Sequence, residues 1–137
     1  MKKIFWMILI LLAFLPSFAY SETLGERAIE YTTNYLTGVQ MKEDDWFTKE
    51  ARKSANLWKS FGGFSTFIER NTQNAKNHSG VKLVKVLNTK KNDGLTYVDV
   101  EVIFNDNTKF TNSEPWTKEG ETWKITLSPN FKDSFAP

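Results

Sequence analysis

The chain contains no cysteine, which excludes disulfides, thiolate metal sites and a thiol nucleophile. It has a single histidine, His78, with neither a cysteine nor a pair of carboxylates beside it to complete a metal-ligand spacing. Phosphate-binding loops are missing as well. The one Gly-Gly pair, Gly62-Gly63, lies in no GxGxxG or GxxxxGKS setting and follows no strand pattern. No apolar run reaches the roughly 20 residues that a membrane-spanning helix needs. A surplus of one charge is also lacking. The chain has 18 Lys+Arg against 16 Asp+Glu, and two of the 18, Lys2 and Lys3, belong to the first residues. Without them, 16 basic residues face 16 acidic ones, so the sequence pI near 8.8 overstates the basicity of the remainder. A neutral domain offers nucleic acid no basic face, and nucleic acid is not an expected partner. No metal, cofactor or catalytic residue is assigned from any motif.

The first residues read as an export signal. Lys2 and Lys3 precede an apolar run from Ile4 to Leu15, which Pro16 ends. Ser17-Phe18-Ala19 then places small residues at the positions a signal peptidase reads, giving a cut after Ala19 or after Ser21. With no cysteine after the run, lipid attachment is excluded. The expected product is periplasmic or secreted, with no stable membrane anchor once the signal is cut. It comprises one domain over 22–127 and a tail over 128–137 that carries Phe131 and Phe135.

Thr23-Leu24-Gly25-Glu26 fits a capping box, and Leu24, Ala28, Tyr31, Tyr35 and Val39 recur at helical spacing, with Ile29 and Leu36 beside them. A helix over 24–39 follows. A second helix is expected over 46–59, with Phe47, Ala51, Ala55 and Trp58 as its apolar stripe and Asp44-Asp45 capping it. Phe61-Gly62-Gly63-Phe64 breaks the chain. A third helix then runs from Phe64 to Asn77, with His78 at its C-terminal end and Gly80 as its stop.

The remainder reads as strands. Val81–Leu87 is rich in β-branched residues, and Lys90–Gly94 ends in the hairpin signal Asp-Gly. Thr96, Val98, Val100, Val102 and Phe104 alternate with Tyr97, Asp99, Glu101 and Ile103. The first set is expected to face the helices and the second to face outward. A third strand over 108–118 carries Phe110 and Trp116 in phase, with Pro115 marking an edge or a bulge. Glu119-Gly120 turns the chain into a last strand over 122–127. The class is therefore α+β: N-terminal helices packed on one face of a curved, antiparallel, four-stranded sheet.

Several stretches resemble a known superfamily. They are Phe47–Ala51, Phe61-Gly62-Gly63-Phe64, Tyr97–Val102, and Trp116-Thr117-Lys118-Glu119-Gly120-Glu121-Thr122-Trp123-Lys124-Ile125. Together they are similar to the nuclear-transport-factor-like (NTF2-like, cystatin-like) cone. More narrowly, they resemble a bacterial family of unknown function once labelled lumazine-binding-like. The resemblance implies a cone whose interior holds a ligand, hosts catalysis or is filled by side chains, and fold alone does not choose among these.

The residues weigh the three roles as follows. The inward strand set carries no ionisable group, and Asp99 and Glu101 turn inward only if the register slips by one. Glu114, beside Trp116, is the other carboxylate that a pocket enzyme of isomerase or cyclase type would use. A small-molecule binder would line an apolar pocket with Tyr31, Tyr35, Trp58, Phe104 and Trp116. The reading placed first is a non-enzymatic protein-binding module of the bacterial envelope, of a secretion, conjugation, immunity or exclusion type. It would meet an envelope partner or a second copy through Tyr97, Ile103 and Phe110. The export reading has a direct check. N-terminal sequencing of the protein recovered from the periplasm is expected to start at Tyr20 or Glu22, and a chain still starting at Met1 would contradict it.

Overall fold

The computed structural model describes residues 22–54, 58–59 and 61–128. The signal expected over 1–21, Ala55 and the tail beyond Ser128 lie outside the described residues. Among those described, four helices precede four strands: α1 (Leu24–Thr37), α2 (Glu43–Trp46), α3 (Lys49–Lys53), α4 (Phe64–Asn77), β1 (Val81–Asn92), β2 (Leu95–Phe104), β3 (Lys109–Glu119) and β4 (Thr122–Ile125). The strands form one antiparallel sheet in the order β1-β2-β3-β4, with the helices on one face. The class is α+β, as the alternation and spacing predict.

Helix α1 starts at the cap read from the sequence. The Thr23 hydroxyl accepts from the Glu26 backbone N–H at 3.2 Å and donates to the Glu26 carboxylate at 2.9 Å. Ala28, Tyr31, Tyr35 and Leu36 form its buried stripe. Thr32 joins them because its hydroxyl donates to the Ala28 carbonyl, which removes the cost of burying it. The helix ends earlier than the apolar spacing suggests. Gly38 takes a left-handed φ of 77° and closes the last turn, leaving Val39 outside and exposed.

The expected helix over 46–59 is not continuous. Two short helices replace it, with Phe47 and Thr48 extended between them. Trp46, Phe47 and Thr48 are all buried, and no single helical stripe buries three consecutive residues against one surface. The extended pair instead lies along β4. Phe47 forms a parallel bridge with Ile125, and the Thr48 N–H donates to the Ile125 carbonyl at 2.9 Å. Asp44 and Asp45 sit inside the first turn of α2 rather than at a cap, and Thr48 caps α3 by accepting from the Ala51 N–H. Trp58 lies in a turn, half-buried against Phe47, Phe64 and Phe67.

Helix α4 keeps its expected span, and its end is stitched to the β2–β3 turn. Gly80 donates to the Ala75 carbonyl, and Asn105 donates to the Gly80 carbonyl. The His78 ring stacks on Phe104 at 5.0 Å, and its Nδ1 lies 2.7 Å from the Asp106 carboxylate. The Thr108 N–H, and then His78, hold that carboxylate below its usual range. His78 therefore joins two elements as well as ending the helix.

The strands extend further than the propensities indicate. β1 runs on to Asn92, and a two-residue turn, Asp93-Gly94, with φ of 52° and 77°, returns the chain. Thr96, Val98, Val100, Val102 and Phe104 are buried beneath the helices, as their alternation predicts. Asp99 and Glu101 face outward, where Glu101 pairs with Lys85 at 3.4 Å. The pairing of β2 with β3 places Phe110 opposite Val102 and Trp116 opposite Thr96. Phe110 is thus an inner-face residue that packs on Phe104 at 5.8 Å, which corrects its assignment to an outward contact row. It lies six positions before Trp116, and in a strand an even offset means the same face.

One side chain ties the first helix to the last strand. Arg27 of α1 donates from Nε to the Trp123 carbonyl of β4 at 2.6 Å and from Nη2 to the Asp45 carbonyl of α2. It pairs with Glu22 at 3.3 Å, and its guanidinium lies 4.0 Å over the Trp46 ring. Hydrogen bonds from a charged donor are worth about 1.5–3 kcal/mol each at most, and they do not add fully. Arg27→Ala is therefore expected to cost about 2–3 kcal/mol in chemical denaturation, and Arg27→Lys to recover less than half of it, because an ammonium lacks the planar, pre-organised fork and the ring stacking of a guanidinium. A loss below 0.5 kcal/mol would contradict this role.

Candidate functional site

The β2–β3 register that fixes Phe110 also determines what lies inside the cone. Asn112, Glu114 and Trp116 follow Phe110 on the same face of β3, opposite Val100, Val98 and Thr96. Glu114 is therefore an inner-face residue, and it is 8% exposed. Its Oε1 accepts from Asn112 Nδ2 at 2.7 Å, whereas its Oε2 is buried with no hydrogen-bond partner. Burial pushes its pKa from 4.5 up to about 7, with a smaller push from Asp99 on the outer face. The carboxyl is neutral through most of the acid range.

Two tyrosines of α1 face it. Burial raises the pKa of both Tyr31 and Tyr35, and the proximity of Glu114 raises it further. Tyr35 hydrogen-bonds with Asn112 and with Thr32, which opposes the rise. The tyrosine rings meet edge to face at 5.2 Å, and Tyr31 meets Trp116 in the same way at 6.1 Å. This gives a polar row that runs from buried Thr32, Tyr35 and Glu114 to Asn112, which is exposed to solvent.

Of the five residues expected to line a pocket, the structure brings Tyr31, Tyr35 and Trp116 together at this point. Phe104 lies at the far end of β2, against His78 and Phe110, and Trp58 is joined to the tyrosines through Phe47 and Phe67, which touch Tyr31 and Tyr35 respectively. Tyr31, Tyr35, Phe104 and Trp116 are nearly or fully buried, so they occupy the interior rather than wall an open space. Two surface hollows near Arg27, of about 630 and 580 Å³, are not lined by Tyr31, Tyr35 or Glu114. On the outer face, Tyr97 and Ile103 are half-buried in the sheet, with Ile103 between Leu83 and Lys109.

No family model matches the chain, and no curated protein matches it. Among solved structures, it is similar to a Campylobacter jejuni protein provisionally named an NTF2-like transpeptidase. The TM-score is 0.61 at 18% identity, covering 75% of this chain and 96% of that one. The fold is thus NTF2-like, as the sequence motifs imply, whereas the narrower lumazine-binding-like resemblance rests on those motifs alone. Among the described residues, no group of three or more histidines and carboxylates is placed to hold a metal ion, and no helix is long and apolar enough to cross a membrane.

The buried carboxyl has a thermodynamic signature. Its folded pKa lies above the unfolded value, so the folded protein holds the extra proton between about pH 4.5 and 7. Stability from this group is complete below that window and falls as pH rises through it, by about 3 kcal/mol in total. Glu114→Gln keeps the Asn112 acceptor and cannot ionise. The variant is expected to gain on the parent progressively between pH 5 and 8 in urea unfolding, and a difference independent of pH would contradict a buried, titrating Glu114.

Proposed function

We propose that this chain is an exported, non-enzymatic protein-binding module of the bacterial envelope, and that the outer face of its sheet is the contact surface. The observation that carries this reading is the filled interior. Trp116 and Tyr35 occupy the space between α1 and the sheet, at 0% and 2% exposure, so recognition falls to the outside. On that outside, Leu83 is 47% exposed beside Ile103, and Leu87 is 49% exposed at a bulge in β1. Tyr97 lies opposite Pro115 further along the same face. Apolar groups in such positions, separated by the Lys85–Glu101 pair, are what a partner would cover.

The name of the Campylobacter jejuni neighbour suggests acyl transfer, which needs an activated nucleophile. Around Glu114, the hydroxyls belong to Thr32 and two tyrosines whose pKa is raised, and Ser113 points to the opposite face of the sheet. This arrangement favours binding over acyl transfer.

A second reading, a small-molecule binder, draws on one observation. Trp58 Nε1, Trp116 Nε1 and Glu114 Oε2 are buried without partners, and a ligand with polar tips would satisfy such atoms. Native mass spectrometry of the protein from its own periplasm separates the two readings. A second polypeptide, from another protein or another copy, is the expected result, and a small mass released on denaturation would favour the pocket. The variant Leu83→Asp/Ile103→Asp is expected to weaken the complex about tenfold or more without changing the protease resistance of the monomer. Undiminished association would rule out this face.

A further inference from the structure

The outer face of the sheet carries a pattern that is complementary to itself. Across β1 and β2, opposite residues form four rows: Leu83 with Ile103, Lys85 with Glu101, Asn88 with Asp99, and Lys90 with Tyr97. The Lys85–Glu101 pair, at 3.4 Å, places these side chains together on the face away from the helices. On that face β1 supplies the cations, Lys85 and Lys90, and β2 supplies the carboxylates, Asp99 and Glu101. The β1 members are exposed and the β2 members are half-buried. Asp99 has only neutral cross-strand neighbours, Asn88 and Ser113.

Sheets pack face to face about 10 Å apart with their strands nearly aligned. A two-fold axis along the strands, midway between β1 and β2, lays β1 of each copy over β2 of the other and keeps every row at its own level. Leu83 then meets Ile103 of the second copy, and Lys85 meets its Glu101. The Asn88 amide reaches Asp99 of the second copy, and the Lys90 ammonium lies over its Tyr97 ring. Other placements fit less well. An axis on β2 itself would bring four carboxylates together, Asp99 and Glu101 from each copy. An axis between β2 and β3 would set Lys109 against Ile103 and leave Glu101 over Thr111. We propose that the partner of the outer face is a second copy of this chain, held in a two-fold dimer through β1 and β2. The inference rests on the reading of that face as the contact surface and names its occupant. Two strands from each copy make a small contact, so a dissociation constant on the order of 10 µM is expected.

The test is sedimentation velocity of the mature protein over roughly 1–200 µM, a range that brackets that constant. A reversible dimer is expected. Lys85→Glu and Glu101→Lys are each expected to weaken it about tenfold or more, because each sets like charges against each other across the axis. An equimolar mixture of the two variants is expected to recover the dimer, since one chain then presents only acids and the other only bases at these positions. Both chains of the mixture have lost their own Lys85–Glu101 pair, so recovery reports the contact between copies and not the fold. A parent that stays monomeric over the range, or a mixture no tighter than its components, would overturn the proposal. Leu83→Asp/Ile103→Asp separates this outcome from the broader reading. If the parent is monomeric but this variant abolishes a complex with another protein, the outer face stands as the contact surface and the second copy is rejected. A dimer indifferent to all three variants rejects both.

Discussion

The pairing register between β2 and β3 is the constraint on which the interior depends. Once Val98 stands opposite Glu114 and Thr96 opposite Trp116, every second residue of β3 is committed to the space beneath α1. A carboxyl is then delivered into a packed aromatic environment, where burial favours its neutral form and one oxygen accepts from Asn112. The helices adapt to this content. Tyr31 and Tyr35 keep polar atoms on the side that faces Glu114 and Asn112, and Thr32 satisfies its hydroxyl within its own helix. The valines of β2 supply the apolar surroundings that make the carboxyl hard to ionise.

How much of this the sequence expressed depends on whether the signal was local. The α1 cap, the span of α4, the Asp93-Gly94 hairpin and the inward set of β2 were legible because propensity and period act within a few residues. The fold class followed from their order. The broken second helix was not legible. Phe47-Ala51-Ala55-Trp58 has a helical period, yet the free edge of β4 takes Phe47 and Thr48, and that edge lies about 80 residues away in sequence. Tertiary demand overrode a weak local preference. The candidate site was half-legible. Trp116 marks the inner phase of β3, and counting back by twos reaches Glu114, Asn112 and Phe110. Tyr31, Tyr35 and Trp116 were already grouped as pocket candidates, and what single-sequence reading did not supply was Glu114 buried among them.

The two faces of the sheet carry different kinds of information. The inner face is nearly saturated by its own side chains. The outer face mixes Leu83, Ile103 and Tyr97 with lysines and carboxylates, a composition suited to contact rather than to a core. β1, on the open edge, carries two register shifts and four lysines, features that discourage uncontrolled strand addition along that edge.

The Arg27 clasp bears on how the chain acquires its structure. Each strand pairs with its predecessor, so the meander assembles from neighbours and pays little for loop closure. The bond from Arg27 to Trp123 spans 96 residues and cannot form until β4 has been made and released. A chain emerging from the ribosome would therefore hold its hairpins before its first helix is secured. Premature termination before Trp123 would leave a formed meander beside an unanchored α1, a species open to proteolysis at its N-terminal side.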